Sequence, residues 1–398
     1  MDRNKLFRIL FRVTYFLWKL YGILPLRYDF RVNKFENSRR SVYYSVVIML
    51  AYSTGMAYVY WRAANFYQRH SPSGTAYFSW AQFTLNYCFL VVTIVIAILC
   101  RNHTKNLLNV FIMLATILIR QSRVQNDYKL LKKYLCKLVF VDFCMKLAIC
   151  GSFYTYGGRG FIGFLTGLNF VFMWSMEVFC NGFVAMCYFA AHLYRLINLQ
   201  VNESVQKLCD FELDQSYWLL HPSEKKQICY RVAASLDKLA YLHQDVTTVL
   251  KKFVKQLDYS LLMTIIWCFL ITISGTFFAY TSLVQDLRDN VRPPLLKYAH
   301  AFGLSVFQAL QFYYIVSASA LLTKRAEKTG LVVNRFFKAE IDERVERTID
   351  MFSMALLHQS YSVENFGMFK VDFTLMYSMV GTITSYLIIM VQFQLSEL

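Results

Sequence analysis

The chain reads as an all-α integral membrane protein: a bundle of seven spanning helices with helical extensions on the cytoplasmic side. Three observations lead there. The 398 residues are 57% hydrophobic and only 17% charged, against about 45–50% and about 25% in an ordinary soluble domain. Seven stretches reach the roughly 20 predominantly apolar residues that a helix needs to cross a bilayer. The formal charge of +17 is laid down in alternate segments between those stretches. Other classes fall away on the same figures. The 35 Phe and 28 Tyr exclude disorder, and with five Pro and fifteen Gly the chain is neither collagen-like nor a linker.

Taken in order, the first element spans Ile9 to Leu26. It is apolar, but Arg12 and Lys19 interrupt it and no small-residue cleavage site follows, so it is not read as a signal peptide. Those two cations are seven apart and share a helical face, which predicts an amphipathic helix lying at the inner membrane surface. The expected spans are Ser41–Trp61, Trp80–Cys100, Lys137–Tyr156, Phe161–Leu193, Tyr259–Val284, Tyr298–Leu322 and Phe369–Phe393. Leu107–Ile119 is too short to be an eighth span and is expected as an interfacial or buried helix. Leu193–Asp258 and Thr323–Gln359 mix apolar with charged positions, and are expected as membrane helices continuing beyond the bilayer and packing together. No internal repeat interrupts the pattern, so 1–398 is read as one domain.

Orientation follows from counting Lys and Arg. Of the 42, 33 lie in Met1–Arg40, Arg101–Lys133, Leu193–Asp258 and Thr323–Met368, and only 6 lie in the alternate segments. Long loops obey the positive-inside rule weakly, but without Leu193–Asp258 the split is still 24 to 6. The N-terminus is therefore expected in the cytoplasm and the C-terminus outside. The large positive charge thus reports orientation, and nucleic acid is not expected as a partner. All five prolines fall outside the spans, where a missing amide donor is harmless. The sequons at Asn102 and Asn202 fall on the cytoplasmic side and are read as chance. The ten cysteines show no C-x-x-C pair and no zinc-ligand spacing. They are read as small hydrophobes, with no metal or cofactor expected.

Ionisable residues at membrane depth are costly unless partnered and point to function. Asp142 and Lys146, four apart, are expected to neutralise each other. Glu177 has no partner of that kind. It lies on a row of four-residue steps with Asn169, Met173 and Asn181, facing the bundle interior, where it either meets ligand or bonds a neighbouring helix. The outer halves of the spans carry aromatic and small polar groups, the composition of a small-molecule pocket but also of a membrane interface. Tyr87, Tyr154, Asn169, Glu177, Phe277, Tyr280 and Gln308 are the candidate ligand contacts.

In the last span, Thr382, Ser385, Ile389, Gln392 and Ser396 form one stripe at close to 3.5-residue spacing. A polar seam on an apolar helix must face other helices or water. If several copies arrange this helix around an axis, Ser385, Ile389 and Gln392 line a pore, Gln392 offering an amide to an ion and Ile389 an apolar constriction. Ordinary helix–helix packing is the competing reading of the same stripe.

These residues also carry a family resemblance. Ser385-Tyr386-Leu387-Ile388-Ile389-Met390-Val391-Gln392-Phe393 resembles the signature of insect gustatory receptors, with Ser in place of the initial Thr. Its motif residues are Ser385, Tyr386, Gln392 and Phe393. Phe366 to Asp372 resembles the segment that enters that family's last span. Length, seven spans and large basic inner loops agree. The resemblance implies a ligand-gated, non-selective cation channel, a homo- or hetero-tetramer with other gustatory receptors. It places Gln392 at the filter, Ile389 as the gate, and a ligand pocket open to the outside among the second to sixth spans. It implies residence in the plasma membrane of sensory dendrites and small-molecule tastants as ligands. It makes bitter compounds the default class, because divergent members of that family most often belong there; a sugar site would ask for more carboxylates near the outer pocket than the loop residues Asp286 and Asp289 supply.

Four alternatives compete. An insect odorant receptor is close in fold and ending. A G-protein-coupled receptor needs the opposite orientation. A transporter predicts internal repeats, and an intramembrane enzyme a catalytic cluster, which the seven scattered His do not supply.

Overall fold

A computed structural model describes residues 3–67, 74–121, 128–156, 161–213, 221–289, 295–335, 342–359 and 361–396. The amphipathic helix forms as α1 (Arg3–Leu20). It stops six residues before the expected Leu26, because Gly22 turns the chain at φ +71° and Leu26 opens a strand. That strand, β1 (Leu26–Asp29), pairs antiparallel with β2 (Lys34–Asn37). The hairpin is held on α4 (Arg101–Gln121) by two asparagines: Asn109 Oδ1 accepts from the Phe35 amide at 2.8 Å and its Nδ2 donates to the Phe35 carbonyl at 3.0 Å, while Asn102 Oδ1 accepts from Asn37 Nδ2 at 2.7 Å. α4 contains the short apolar stretch and buries Leu107, Leu114, Ala115 and Leu118, as a buried helix should.

The first two spans become α2 (Arg39–Tyr67) and α3 (Gly74–Leu99). The third is helical from α5 (Tyr128–Cys136) through a π-helical stretch, Lys137–Met145, to α6 (Lys146–Tyr156). The fourth and fifth outgrow the bilayer as expected. α7 (Phe161–Leu213) has 53 residues and α8 (Pro222–Arg288) has 67, about 80 and 100 Å at 1.5 Å per residue, against a hydrocarbon core of about 30 Å. α8 begins where Pro222 occupies the first turn and the His221 ring accepts from the Ser223 amide. It runs far enough to make Asp286 helical, where a loop was expected. α9 (Leu295–Val333) is the sixth span and α10 (Glu343–His358) the second inner extension.

The last span starts later than expected. Glu364–Asn365 and Phe369–Lys370 pair as β3 and β4 around Phe366 and Gly367, both at positive φ, the conformation of a type I′ hairpin. Helix α11 (Phe373–Ser396) follows once Asp372 Oδ1 accepts from the amides of Thr374 (2.9 Å) and Leu375 (3.3 Å), an N-cap. The residues from Phe369 to Asp372 thus belong to the hairpin and the cap, not to the helix.

Two large cores hold the bundle. One takes Met56, Phe89, Phe179, Trp267 and Phe307 from α2, α3, α7, α8 and α9. The other gathers all four cation-rich segments: Leu10, Leu107, Leu196, Leu239 and Phe352 are buried together there. The cation-rich parts therefore meet at one end, the basic end, as the charge count requires. α1 is seated by a close approach to α7. Trp18 lies so near Gly182 that a Cβ there would come within 1.9 Å of the indole, whose Nε1 donates to the Val178 carbonyl at 2.8 Å.

Candidate functional site

The π-helical stretch decides which intramembrane charges meet. Bonding from i to i+5 widens the turn and brings residues five apart onto one face. Lys137 Nζ consequently lies 3.1 Å from both carboxylate oxygens of Asp142. It also donates to Gln311 Oε1 at 2.8 Å and to Asn181 Oδ1. Gln311 closes the ring by donating from Nε2 to Asp142 Oδ1 at 2.6 Å. Lys137 is fully buried, with the Tyr314 ring 5.6 Å from its ammonium. The expected Asp142–Lys146 pair is therefore not made, because an α-helical spacing was assumed for a stretch that is not α-helical.

Lys146 turns to α7. Its Nζ lies 2.5 Å from Glu177 Oε2 and 5.3 Å from the Trp174 ring centre. Glu177, expected without an ion-pair partner, has one, and the carboxylate that a cationic ligand would need is occupied. Asn181, one turn along the predicted row, does face the interior, as a ligand of Lys137. The Lys146–Glu177 pair thus ties the third span to α7, and the buried Lys137–Asp142 pair ties it to α7 and α9 through Asn181 and Gln311. Spacing rules for α-helices missed them; the signal available was only that Lys137, Asp142 and Lys146 share one apolar stretch.

The candidate ligand contacts are spread over several helices. Tyr87 donates from Oη to Ser53 Oγ at 3.0 Å, joining α3 to α2. Gln308 is buried and accepts from Cys268 Sγ at 3.6 Å. Phe277 packs on Phe278, ring centres 6.1 Å apart, and Tyr280 is half-buried on α8. The side chains of Tyr154 and Asn169 lie outside the described residues. Nearby, Gln82 Nε2 donates to Ser274 Oγ at 3.1 Å, so small polar groups of this half work as inter-helix ties.

On α11, Ser385, Tyr386, Ile389, Gln392 and Phe393 are all exposed in the single chain. Only 6% of its apolar window is buried. Its hydroxyls are satisfied within the helix: Thr382 Oγ1 donates to the Ser378 carbonyl at 2.8 Å and Ser385 Oγ to the Gly381 carbonyl at 3.0 Å. Tyr386 leaves the stripe to meet Phe269 of α8 edge-on, ring centres 6.4 Å apart. Among the described residues six helices are long and apolar enough to cross a membrane, and no cluster of His, Cys, Asp and Glu gathers that could hold a metal.

The family model described as "7tm Chemosensory receptor" matches residues 11–397. The chain belongs to that family. It is a family of receptors, not of enzymes. Among relatives of this receptor in Drosophila melanogaster, putative gustatory receptor 28b is 27% identical over 140 residues, 35% of this chain and 30% of that one. The gustatory receptor for bitter taste 66a is 24% identical over 179 residues, 45% of this chain and 34% of that one. Putative gustatory receptor 2a reaches 51% identity, over 49 residues only. The matched stretches span about a third or less of those relatives' own length. The solved olfactory receptor OR5 of Machilis hrabei, in complex with eugenol, superposes with a TM-score of 0.55. That superposition covers 98% of this chain and 100% of that one at 11% identity, so the receptor has the insect chemosensory fold.

Proposed function

We propose that this receptor is a subunit of a ligand-gated, non-selective cation channel that senses small-molecule tastants, bitter or aversive compounds first among them. In this reading four subunits, identical or mixed with other gustatory receptors, place α11 around a central axis in the plasma membrane of gustatory sensory dendrites. The observation that carries it is α11 itself. It is a helix with one polar stripe, Thr382, Ser385 and Gln392 with Ile389 among them, and the single chain leaves it almost uncovered. A stripe packed within one subunit would be buried there. Gln392 then coordinates the permeating ion, Ile389 closes the path one turn away, and Ser385 lines it.

Ligand enters from the outer side among the second to sixth spans, where Tyr87, Tyr154, Asn169, Phe277, Tyr280 and Gln308 offer aromatic faces and hydrogen-bonding groups. Glu177 acts there through its pair with Lys146. The gustatory reading is preferred to an odorant receptor because the relatives above are gustatory by name. A bitter class is favoured by receptor 66a.

Recording current from cells expressing the receptor tests the reading. Gln392→Ala is expected to change cation permeability ratios, and Ile389→Ala to leave a standing leak without ligand. Substitutions that shift only ligand sensitivity would assign the stripe to packing.

A further inference from the structure

The third span carries a feature that neither pore nor pocket accounts for: its π-helical stretch runs nine residues, Lys137–Met145. π-Helical bonding mostly occurs as a single-turn bulge, frequently at functional sites, so a stretch of this length needs a cause. Asp142 supplies one. It stands five residues after Lys137, which it meets in the π register at 3.1 Å, and four before Lys146, which it would meet in an α register. One carboxylate thus lies between two lysines, and the type of turn decides which of them it takes.

A second carboxylate makes the exchange complete. Glu177 on α7 pairs with Lys146, yet the charges of Lys137 and Asp142 reach it as well. Lys137 already donates to Asn181, one turn from Glu177 on the same face of α7. In the π register the pairs are Lys137–Asp142 and Lys146–Glu177. In an α register they become Asp142–Lys146 and Lys137–Glu177. Neither arrangement leaves a charge alone, so neither meets the penalty of an uncompensated buried ion.

The two halves of the span are held unequally. Before the stretch, Lys133 Nζ donates to Ser317 Oγ of α9 at 3.0 Å, and Tyr134 Oη donates to the Asn181 carbonyl of α7 at 3.3 Å. After it, Ile149 alone is buried among the described side chains of α6, while Leu147 and Ala148 are exposed. Ile149 faces Gly303 of α9, where a Cβ would lie 3.6 Å away, a smooth surface to turn against. An α-helix has fewer residues per turn than a π-helix, so a change of register holds α5 and rotates α6 about its axis.

We propose that the third span is a two-register switch: its charges and Glu177 exchange partners between a π and an α form, and the exchange turns α6 relative to α5. Tyr154 of the outer pocket stands on α6, so the functional half of this inference rests on the ligand reading above. Ligand there selects the register it binds better, and the re-pairing of Glu177 carries the choice to α7.

The test uses the full receptor purified in detergent and N-ethylmaleimide, with alkylated peptides quantified by mass spectrometry. Cys136 precedes the stretch and Cys144 lies within it, both exposed, so the turn moves Cys144 and leaves Cys136 as the reference. Two double variants share Glu177→Gln. Adding Lys146→Gln leaves Asp142 only Lys137 and should keep the parent's ratio of Cys144 to Cys136 labelling. Adding Lys137→Gln leaves it only Lys146 and should lower that ratio severalfold. Asp142→Lys with Lys146→Asp keeps every charge, opposes both π pairs, and should give the same fall. An unchanged ratio overturns the switch, as does failure of both α-register variants to fold while the π-register one folds. In cells, the two Glu177→Gln variants should shift the ligand concentration for half-maximal current about tenfold in opposite directions; shifts of the same sign overturn the coupling. A parent receptor that passes no current under any tastant fails the channel reading, and the thiol ratio still decides this one.

Discussion

Two of the spanning helices, α7 and α11, are both apolar enough to cross a membrane and are opposite in what covers them. In α7, 83% of the apolar window is buried by the rest of the chain; in α11 it is 6%. Their polar groups differ in the same way. Asn181 and Glu177 of α7 bond to other helices, accepting from Lys137 and pairing with Lys146, whereas Thr382 and Ser385 of α11 bond back to their own helix. Hydropathy places both helices in the membrane, but it does not say whether protein or something else surrounds them. α7 is the interior of one subunit. In the channel reading, α11 is completed by lipid on one side and by other subunits on the other.

The largest effect that could break this contrast is at Lys137. Lys137→Met leaves Asp142 buried without its cation, and removing one partner of a buried pair costs about 3–5 kcal/mol. Thermal unfolding in detergent should therefore show a severe loss, with little receptor reaching the cell surface. Removing both charges, in Lys137→Met with Asp142→Leu, should recover most of it, since apolar replacement of a whole buried pair is close to neutral. A single substitution without effect would mean that the Lys137 network adds nothing to what apolar packing and the Lys146–Glu177 pair already hold.

The core at the basic end gives a smaller, pH-dependent signal. His243 on α8 lies between the rings of Tyr194 (5.0 Å) and Phe352 (6.2 Å), and burial lowers its pKa from 6.5 to about 4, against a backbone hydrogen bond with Ala326 that raises it. The unfolded chain then binds the extra proton first as pH falls. Stability from this group is complete above about pH 6.5 and lost progressively toward pH 4, roughly 3 kcal/mol in all. His243→Gln should flatten that part of the profile. Gln392→Ala on α11 should leave it unchanged, because nothing there is buried with the histidine.

Much of this architecture is legible in the chain because its causes are local. Span lengths and the heptad spacing of Arg12 and Lys19 each follow from one stretch read alone, and the 33-to-6 split of cations from adding such stretches together. The first hairpin was not foreseen, since its strands are four residues long and depend on Asn109 from a distant helix. The ion pairs were misassigned for a related reason. Whether Lys137 or Lys146 serves Asp142 depends on a π-helical turn that apolar periodicity does not announce. The stripe on α11 was visible as a pattern, and its burial state, which gives the pattern meaning, is a property of the folded chain.

The smallest effects separate the two kinds of helix most cleanly. Asp372 caps α11 through the amides of Thr374 and Leu375, and replacing such a cap by Ala costs typically about 1 kcal/mol. Asp372→Ala should therefore lower the unfolding midpoint modestly. Ser385 is exposed and bonds its own helix, so Ser385→Ala should fall within about 0.5 kcal/mol of the parent. Measured on the assembled receptor, an equal loss from both substitutions would show that neighbouring protein packs tightly on the stripe. An unchanged midpoint for Ser385→Ala beside altered ion permeability would leave a wet seam, because only water or a passing ion would then notice the missing hydroxyl.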